Sequence, residues 1–154
     1  MRIAIIGAGF AGTAVALHLQ AFHTSPISVT LIEKRSAFGL GEAYSTPFLY
    51  HLLNVRAKDM SVFEHDLEHF TQWLKKNASQ CGLTISDEHI ANEFAPRALY
   101  GKYLQELLAK LPQEKDFSLQ QEQDEAVALD IQHHEARIQL ASGKIICADK
   151  VVLT

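Results

Sequence analysis

Gly7, Gly9 and Gly12 stand in the run Gly7-Ala8-Gly9-Phe10-Ala11-Gly12, and the acid Glu33 follows Gly12 by 21 residues. Those types at that spacing suit a pyrophosphate and a ribose. Position 7 permits a tight turn, position 9 lets phosphate oxygens approach backbone that carries no Cβ, and position 12 allows close helix packing. A helix starting inside the run turns amide donors and the positive end of its dipole toward an anion. A carboxylate at Glu33 can accept hydrogen bonds from ribose hydroxyls. Alone, the glycine spacing is a weak signal, and the surrounding elements decide its meaning.

Those elements are in place. Ile3 to Ile6 form an apolar run leading into the glycines. Ala14, Val15, Leu17 and Leu19 recur at helical spacing, and Ala16 is small on the face that Gly12 shares. Val29-Thr30-Leu31-Ile32 is a second apolar run, and it ends on Glu33. Strand, glycine turn, helix, strand and acid together make a dinucleotide-binding βαβ unit.

A second glycine pair, Gly39 and Gly41, follows Glu33 by six and eight residues. Glycines there let backbone approach a ligand that extends past the adenosine half. A plain NAD site has little need of this, whereas the pyrophosphate and ribityl chain of FAD run past such a loop. Lys34 and Arg35 compete with that reading, because basic residues here can hold the 2′-phosphate of NADP, which Glu33 would repel. The order of preference is FAD, then NAD, then NADP.

The remaining chain supplies a scaffold and several polar candidates. Residues 46–62 lack clean periodicity but are too apolar for a linker, and are expected to pack along the cofactor. His51, Asn54 and Ser61 are their polar candidates, each more simply a satisfied polar group. A helix is expected from Ser61 or Asp66 to Lys76, with Phe70, Trp73 and Leu74 on one face. His65-Asp66-Leu67-Glu68-His69 fits the H-x-x-E-H pattern of zinc peptidases. Its acidic residues read instead as a solvated first helical turn, so no metal site is assigned. Pro96 suits the first turn of a further helix, whose Leu104, Leu107, Leu108 and Leu111 form a buried face. Arg97 lies at that helix start, where its charge gains nothing from the dipole, which suggests a phosphate or carboxylate partner. From Asp116 the pattern turns strand-like, with a hairpin at Ser142-Gly143. His133-His134 reads as another turn. Ala148 to Thr154 reads as a fully buried parallel strand. A domain rarely ends in its central sheet, so residues 1–154 are expected to be the N-terminal part of a longer protein.

Composition narrows the partners. With 47% hydrophobic residues the chain is globular, and a net charge of −4 with no basic block longer than a pair speaks against nucleic acid. The glycines interrupt the N-terminal apolar stretch, so it reads neither as a signal peptide nor as the ~20-residue span of a membrane helix. Cys81 and Cys147 are too far apart for a metal or redox motif and read as reduced thiols. A cytoplasmic protein without a membrane partner is expected.

Five segments carry a resemblance: GAGFAG at 7–12, LIEKRSAFGLGEAYST at 31–46, HLLNVRAKDMSVF at 51–63, FAPRALYGKYL at 94–104 and ADKVVLT at 148–154. In this order they resemble the FAD/NAD(P)-binding family of bacterial flavoproteins, within the superfamily of two-dinucleotide-binding oxidoreductases. The resemblance spans essentially the whole chain. It implies an α/β fold: a Rossmann-like parallel sheet with a βαβ dinucleotide-binding unit and a late antiparallel β-meander. It implies FAD, with NAD or NADP as alternatives. Gly7, Gly9 and Gly12, with Ala8, Phe10 and Ala11 in the same turn, would hold the pyrophosphate, and Glu33, beside Lys34, would hold the adenosine ribose. The Gly39–Gly41 turn and Arg97 would lie near the pyrophosphate or ribityl chain. Val127 matches the position whose backbone meets adenine, and the final strand resembles the one preceding a closing turn, with Thr154 in the place of an alanine. The function implied is the FAD-binding part of an oxidoreductase passing hydride from NAD(P)H to flavin and then to an unknown small molecule. A nucleotide-binding sensor or scaffold without chemistry of its own is the alternative. No residue is assigned as a catalytic acid, base or nucleophile.

Overall fold

Apolar residues in succession at Ile3, Ala4 and Ile5 require a strand covered on both faces, and all three are buried. The structure, a computed structural model, describes residues 1–82, 86, 88–111, 113–132 and 135–154. Its elements in chain order are β1 (Arg2–Ile6), α1 (Phe10–Phe22), β2 (Ile27–Glu33), α2 (His69–Asn77), α3 (Arg97–Ala109), β3 (Phe117–Gln123), β4 (Ala126–Gln132), β5 (Glu135–Leu140), β6 (Ile145–Ala148) and β7 (Lys150–Leu153). The fold is α/β. One sheet is four-stranded in the order β3-β2-β1-β7, and the other is three-stranded in the order β4-β5-β6. All pairs in the first sheet are parallel, and those in the second are antiparallel. The βαβ unit and the late meander of the sequence reading are both present.

Contacts within the chain form two compact units, residues 1–41 with 104–154, and residues 42–103. In the first unit the parallel sheet is packed on both faces, and strand alternation sorts its residues. Ile3, Ile5, Val29 and Leu31 share a core with Ala8, Ala16, Leu108 and Phe117. Ala4 and Ile32 point the other way and meet Ile138, Leu140 and Ala148 of the meander. Asp149 ties the meander to the sheet. Its carboxylate accepts from the Arg2 amide at 2.7 Å and the Arg2 guanidinium at 2.7 Å, and the same guanidinium reaches Glu135 at 2.9 Å.

One expectation for this unit changes. The segment Ala148 to Thr154 is expected to be a fully buried parallel strand, but among the described residues β7 pairs only with β1 and lies at the sheet edge. Lys150 and Leu153 at its ends are exposed, Leu153 by 68%, and Val151 and Val152 between them are half-buried. Apolar character reports that a strand belongs to a covered sheet, not that it has neighbours on both sides.

The second unit is built on aromatic rings. Phe70 lies 4.9 Å from Tyr100 and 5.0 Å from Tyr103, ring centre to ring centre, and Trp73 lies 5.6 Å from Tyr103. The Tyr103 hydroxyl is 2.8 Å from Nδ1 of His69. Helix α2 begins later than expected because Ser61 and Asp66 are spent on turns before it. Ser61 Oγ donates to the Asp66 carbonyl at 2.6 Å, and the His69 amide donates to the same carbonyl at 3.2 Å. His65 precedes α2 and packs its ring against Phe63. Among the described residues, no group of three or more His, Cys, Asp or Glu side chains is placed to hold a metal ion. The expected His133-His134 turn and the side chain of Cys81 lie outside the described residues.

Burial pushes the phenols of Tyr100 and Tyr103 up from their usual value. The fold therefore favours the neutral forms. Their contribution to stability is complete below the unfolded value of about 10 and is lost as pH rises beyond it. Circular dichroism should show alkaline unfolding setting in above about pH 10, together with a late rise in phenolate absorbance. If all four tyrosines titrated while secondary structure persisted, this account of the aromatic core would fail.

Candidate functional site

The first unit's sheet reverses its strand order at β1, with β2 on one side and β7 on the other. Open α/β sheets bind ligands at such a switch point, beyond the carboxyl ends of the strands. A cavity of about 290 Å³ opens there, with Gly7, Glu33, Lys34, Asp124, Glu125 and Thr154 in its wall. Larger grooves lie elsewhere in this unit, among them one of about 370 Å³ beside Phe38 and Leu108 and two of about 550 Å³ each, one along α1 beside Val15 and Phe22, the other beside Leu129 and Leu153. The latter two are largely apolar, and neither includes the glycine turn.

The turn is held by tight internal contacts. The Gly7 amide donates to the Ile32 carbonyl at 2.9 Å, and φ at Gly7 is +103°. The Gly7 carbonyl accepts from Thr154 Oγ1 at 2.9 Å. A Cβ placed on Gly12 would stand 2.0 Å from that same carbonyl oxygen. Gly9 is the N-cap of α1 in extended conformation, with no side-chain cap, and the Thr13 amide closes the first helical turn onto its carbonyl at 3.1 Å. Ala8 is buried, while Phe10 and Ala11 are exposed at the helix start. The first helical turn directs backbone donors outward, where an anion can accept from them.

Glu33 is 8% exposed, and both its oxygens accept from backbone. The Ala8 amide donates to Oε2 at 3.0 Å and the Arg35 amide to Oε1 at 3.1 Å. Each carboxylate oxygen keeps a further lone pair for a ribose hydroxyl. The acid therefore fixes the glycine turn as well as facing the cavity. Glu33→Ala should cost about 1.5–3 kcal/mol of unfolding free energy by orphaning these amides, besides weakening any ribose contact. Urea denaturation without ligand separates the two effects, and an unchanged midpoint would show that the amide contacts contribute nothing.

Lys34 Nζ lies 3.3 Å from Glu125 Oε1. Asp124 and Glu125 are not picked out by the sequence reading. Hydrogen bonding from Ser142 holds the Asp124 carboxyl below its ordinary value. Val127 follows Ala126, which lines the cavity, and it falls at a register shift: Ala126 pairs with Leu140 and Ala128 with Gln139. A bulge of this kind leaves the extra residue unpaired in its ladder, with its backbone available to another partner.

Gly39 and Gly41 meet the protein's own backbone. The Gly39 amide donates to the Ala8 carbonyl at 2.8 Å, and a Cβ there would come within 3.2 Å of the Gln105 nitrogen. A Cβ on Gly41 would stand 2.9 Å from Gly9 Cα. The second glycine pair thus clamps its loop onto the first, a role its spacing alone did not suggest. Arg97 belongs to the second unit. Its Nε donates to the Leu52 carbonyl at 3.0 Å, and its amide donates to the His51 carbonyl at 2.8 Å. His51 Nδ1 is 2.6 Å from Thr46 Oγ1, Ser61 is committed to the turns before α2, and Asn54 is exposed.

Residues 4–154 match the sequence family described as FAD-NAD(P)-binding. The chain belongs to that family. Its cofactors are dinucleotides of the FAD and NAD(P) type. Solved structures of similar fold include the Kutzneria sp. 744 ornithine N-hydroxylase with reduced FAD, NADP+ and L-ornithine, at 16% identity and a TM-score of 0.68, covering 98% of this chain and 36% of that one. The closed form of cyclohexanone monooxygenase matches at 15% identity and a TM-score of 0.65, covering 99% and 25%. The tetracycline destructase Tet(51) matches at 19% identity and a TM-score of 0.57, covering 99% and 38%. The chain thus spans between a quarter and two fifths of the length of these structures. No curated protein sequence matches it. Among the described residues, no helix is long and apolar enough to cross a membrane.

Proposed function

We propose that the first unit binds the ADP half of FAD, as part of a flavoprotein oxidoreductase that takes hydride from NAD(P)H and delivers it to a small molecule. Residues 1–154 are read as the FAD/NAD(P)-binding domain at its N-terminal end. The observation that carries this reading is the cavity at the switch point, where the Gly7 turn meets the carboxylate of Glu33. The residues fit the group. The α1 N-terminus and Gly9 offer donors and close approach to the pyrophosphate, Glu33 retains acceptor capacity for the ribose, and the bulge at Val127 offers backbone to adenine. FAD is favoured over NAD because the Gly39–Gly41 loop is clamped beside the pyrophosphate turn, where a longer ligand would continue. The ornithine N-hydroxylase structure that holds reduced FAD shares the fold. Once bound, FAD would supply the hydride-accepting ring, and this chain's residues would anchor and orient it.

The test is spectroscopic. Full-length protein should retain flavin absorbance through desalting, and NADH or NADPH should bleach it. Failure to bind FAD or FMN at concentrations of about tens of micromolar would remove the reading. Flavin that binds but is never bleached, with or without acceptors, would replace the oxidoreductase with a nucleotide-binding module.

A further inference from the structure

The turn between β3 and β4 bears on which adenosine the cavity accepts. Its wall carries three carboxylates, Glu33, Asp124 and Glu125, and one ammonium, Lys34. Lys34 directly follows the ribose acid, the neighbourhood from which a basic residue can hold a ribose 2′-phosphate. In the fold it pairs with Glu125 instead, at 3.3 Å. Glu125 is held in place through its backbone, since its carbonyl accepts from the Ala141 amide at 2.8 Å and its amide donates to Asp124 Oδ1 at 2.7 Å. Asp124 accepts in turn from the Ser142 amide at 3.4 Å. The meander therefore presents both acids to the cavity independently of any ligand.

Resting on the dinucleotide reading above, we infer that Glu125 makes the cavity selective for an adenosine with an unphosphorylated ribose 2′-hydroxyl, by holding Lys34 and by charging the cavity wall. A 2′-phosphate brings about −1.5 to −2 of charge and needs a cation. Here the cation in the cavity wall, Lys34, is paired, and three acidic residues line the same wall. The ion pair is exposed, so its own strength is small. Selectivity comes from the sign of the wall: removing Glu125 both lowers the negative charge and releases the lysine. FAD and NAD carry the accepted ribose, and NADP the rejected one.

The test measures binding of ADP-ribose and of its 2′-phosphorylated form to the full chain by calorimetry, and reads the ratio of their dissociation constants. Wild type should prefer ADP-ribose by about tenfold or more, and Glu125→Gln should shrink that ratio by about fivefold through tighter binding of the phosphorylated probe. The double variant Lys34→Gln/Glu125→Gln should keep only part of this gain, because the released lysine supplies the rest. Circular dichroism of each variant controls for folding. A wild-type ratio near unity, or a ratio insensitive to Glu125→Gln, overturns the inference while leaving the dinucleotide site standing. Binding of neither probe to wild type removes both.

Discussion

Gly12→Ala should leave a protein that unfolds readily or does not accumulate as folded material. The added Cβ would stand 2.0 Å from the Gly7 carbonyl oxygen and 3.0 Å from Thr154 Oγ1. The first of these is backbone, fixed by the Gly7 amide bond to Ile32 at 2.9 Å and by the Thr154 hydroxyl at 2.9 Å. Relief needs α1 to lift away from the end of β1, and Ala8 and Ala16 of the sheet core would move with it. Overpacking of ordinary cores costs about 1–3 kcal/mol, and a clash with anchored backbone belongs at or above the top of that range. Against a total stability of about 5–15 kcal/mol, this is a large share. Gly143→Ala is the control. Nothing lies within 4 Å of its Cβ position, although its φ is +88°. It should cost only about 1–2 kcal/mol for left-handed backbone. Urea midpoints for the two variants should differ widely, and equal midpoints would rule out the contact at Gly12 as the cause.

Gly9→Ala should do the reverse, keeping the fold and losing FAD. Gly9 has φ −73°, open to any residue, and a Cβ there would meet only Gly41 Cα, at an ordinary 3.5 Å. Removing a glycine at a compatible position can even stabilise, by about 0.4–1 kcal/mol, through the unfolded chain. In the proposed complex, however, that Cβ occupies space the pyrophosphate needs. FAD affinity should fall by about a hundredfold, equivalent to about 2.7 kcal/mol. Valine is a poorer probe, because its branches would press on Gly41 and confuse fold with binding. FAD titration beside a denaturation curve reads both quantities, and wild-type affinity in a folded Gly9→Ala protein would take the glycine turn out of the site.

These opposite outcomes come from glycines three residues apart, and the spacing pattern gives them equal weight. The pattern reports that glycine is needed, not what the missing Cβ would strike. The same holds for Gly39 and Gly41. Their spacing was read as room for a ligand, while in the fold a Cβ on Gly41 would strike Gly9 Cα. Ser61 is similar: it is a plausible polar contact by type, but its hydroxyl is used on the Asp66 carbonyl just before α2.

By itself the sequence determined the βαβ unit, the acid at Glu33 and the order of the meander strands. These rest on local physics: helical and alternating periodicities, glycines that turn the chain, and an acid that ends its own strand. Only the tertiary structure decided how distant segments meet. Lys34 and Glu125 are separated by 91 positions, Arg2 and Asp149 by 147, and Gly7 and Thr154 by 147. No periodicity encodes such pairs, because they follow from the strand order and from how the meander folds onto the sheet. The edge position of β7 has the same origin. An apolar strand must be covered, but which strand lies beside it is settled by the assembled sheet rather than by its own residues.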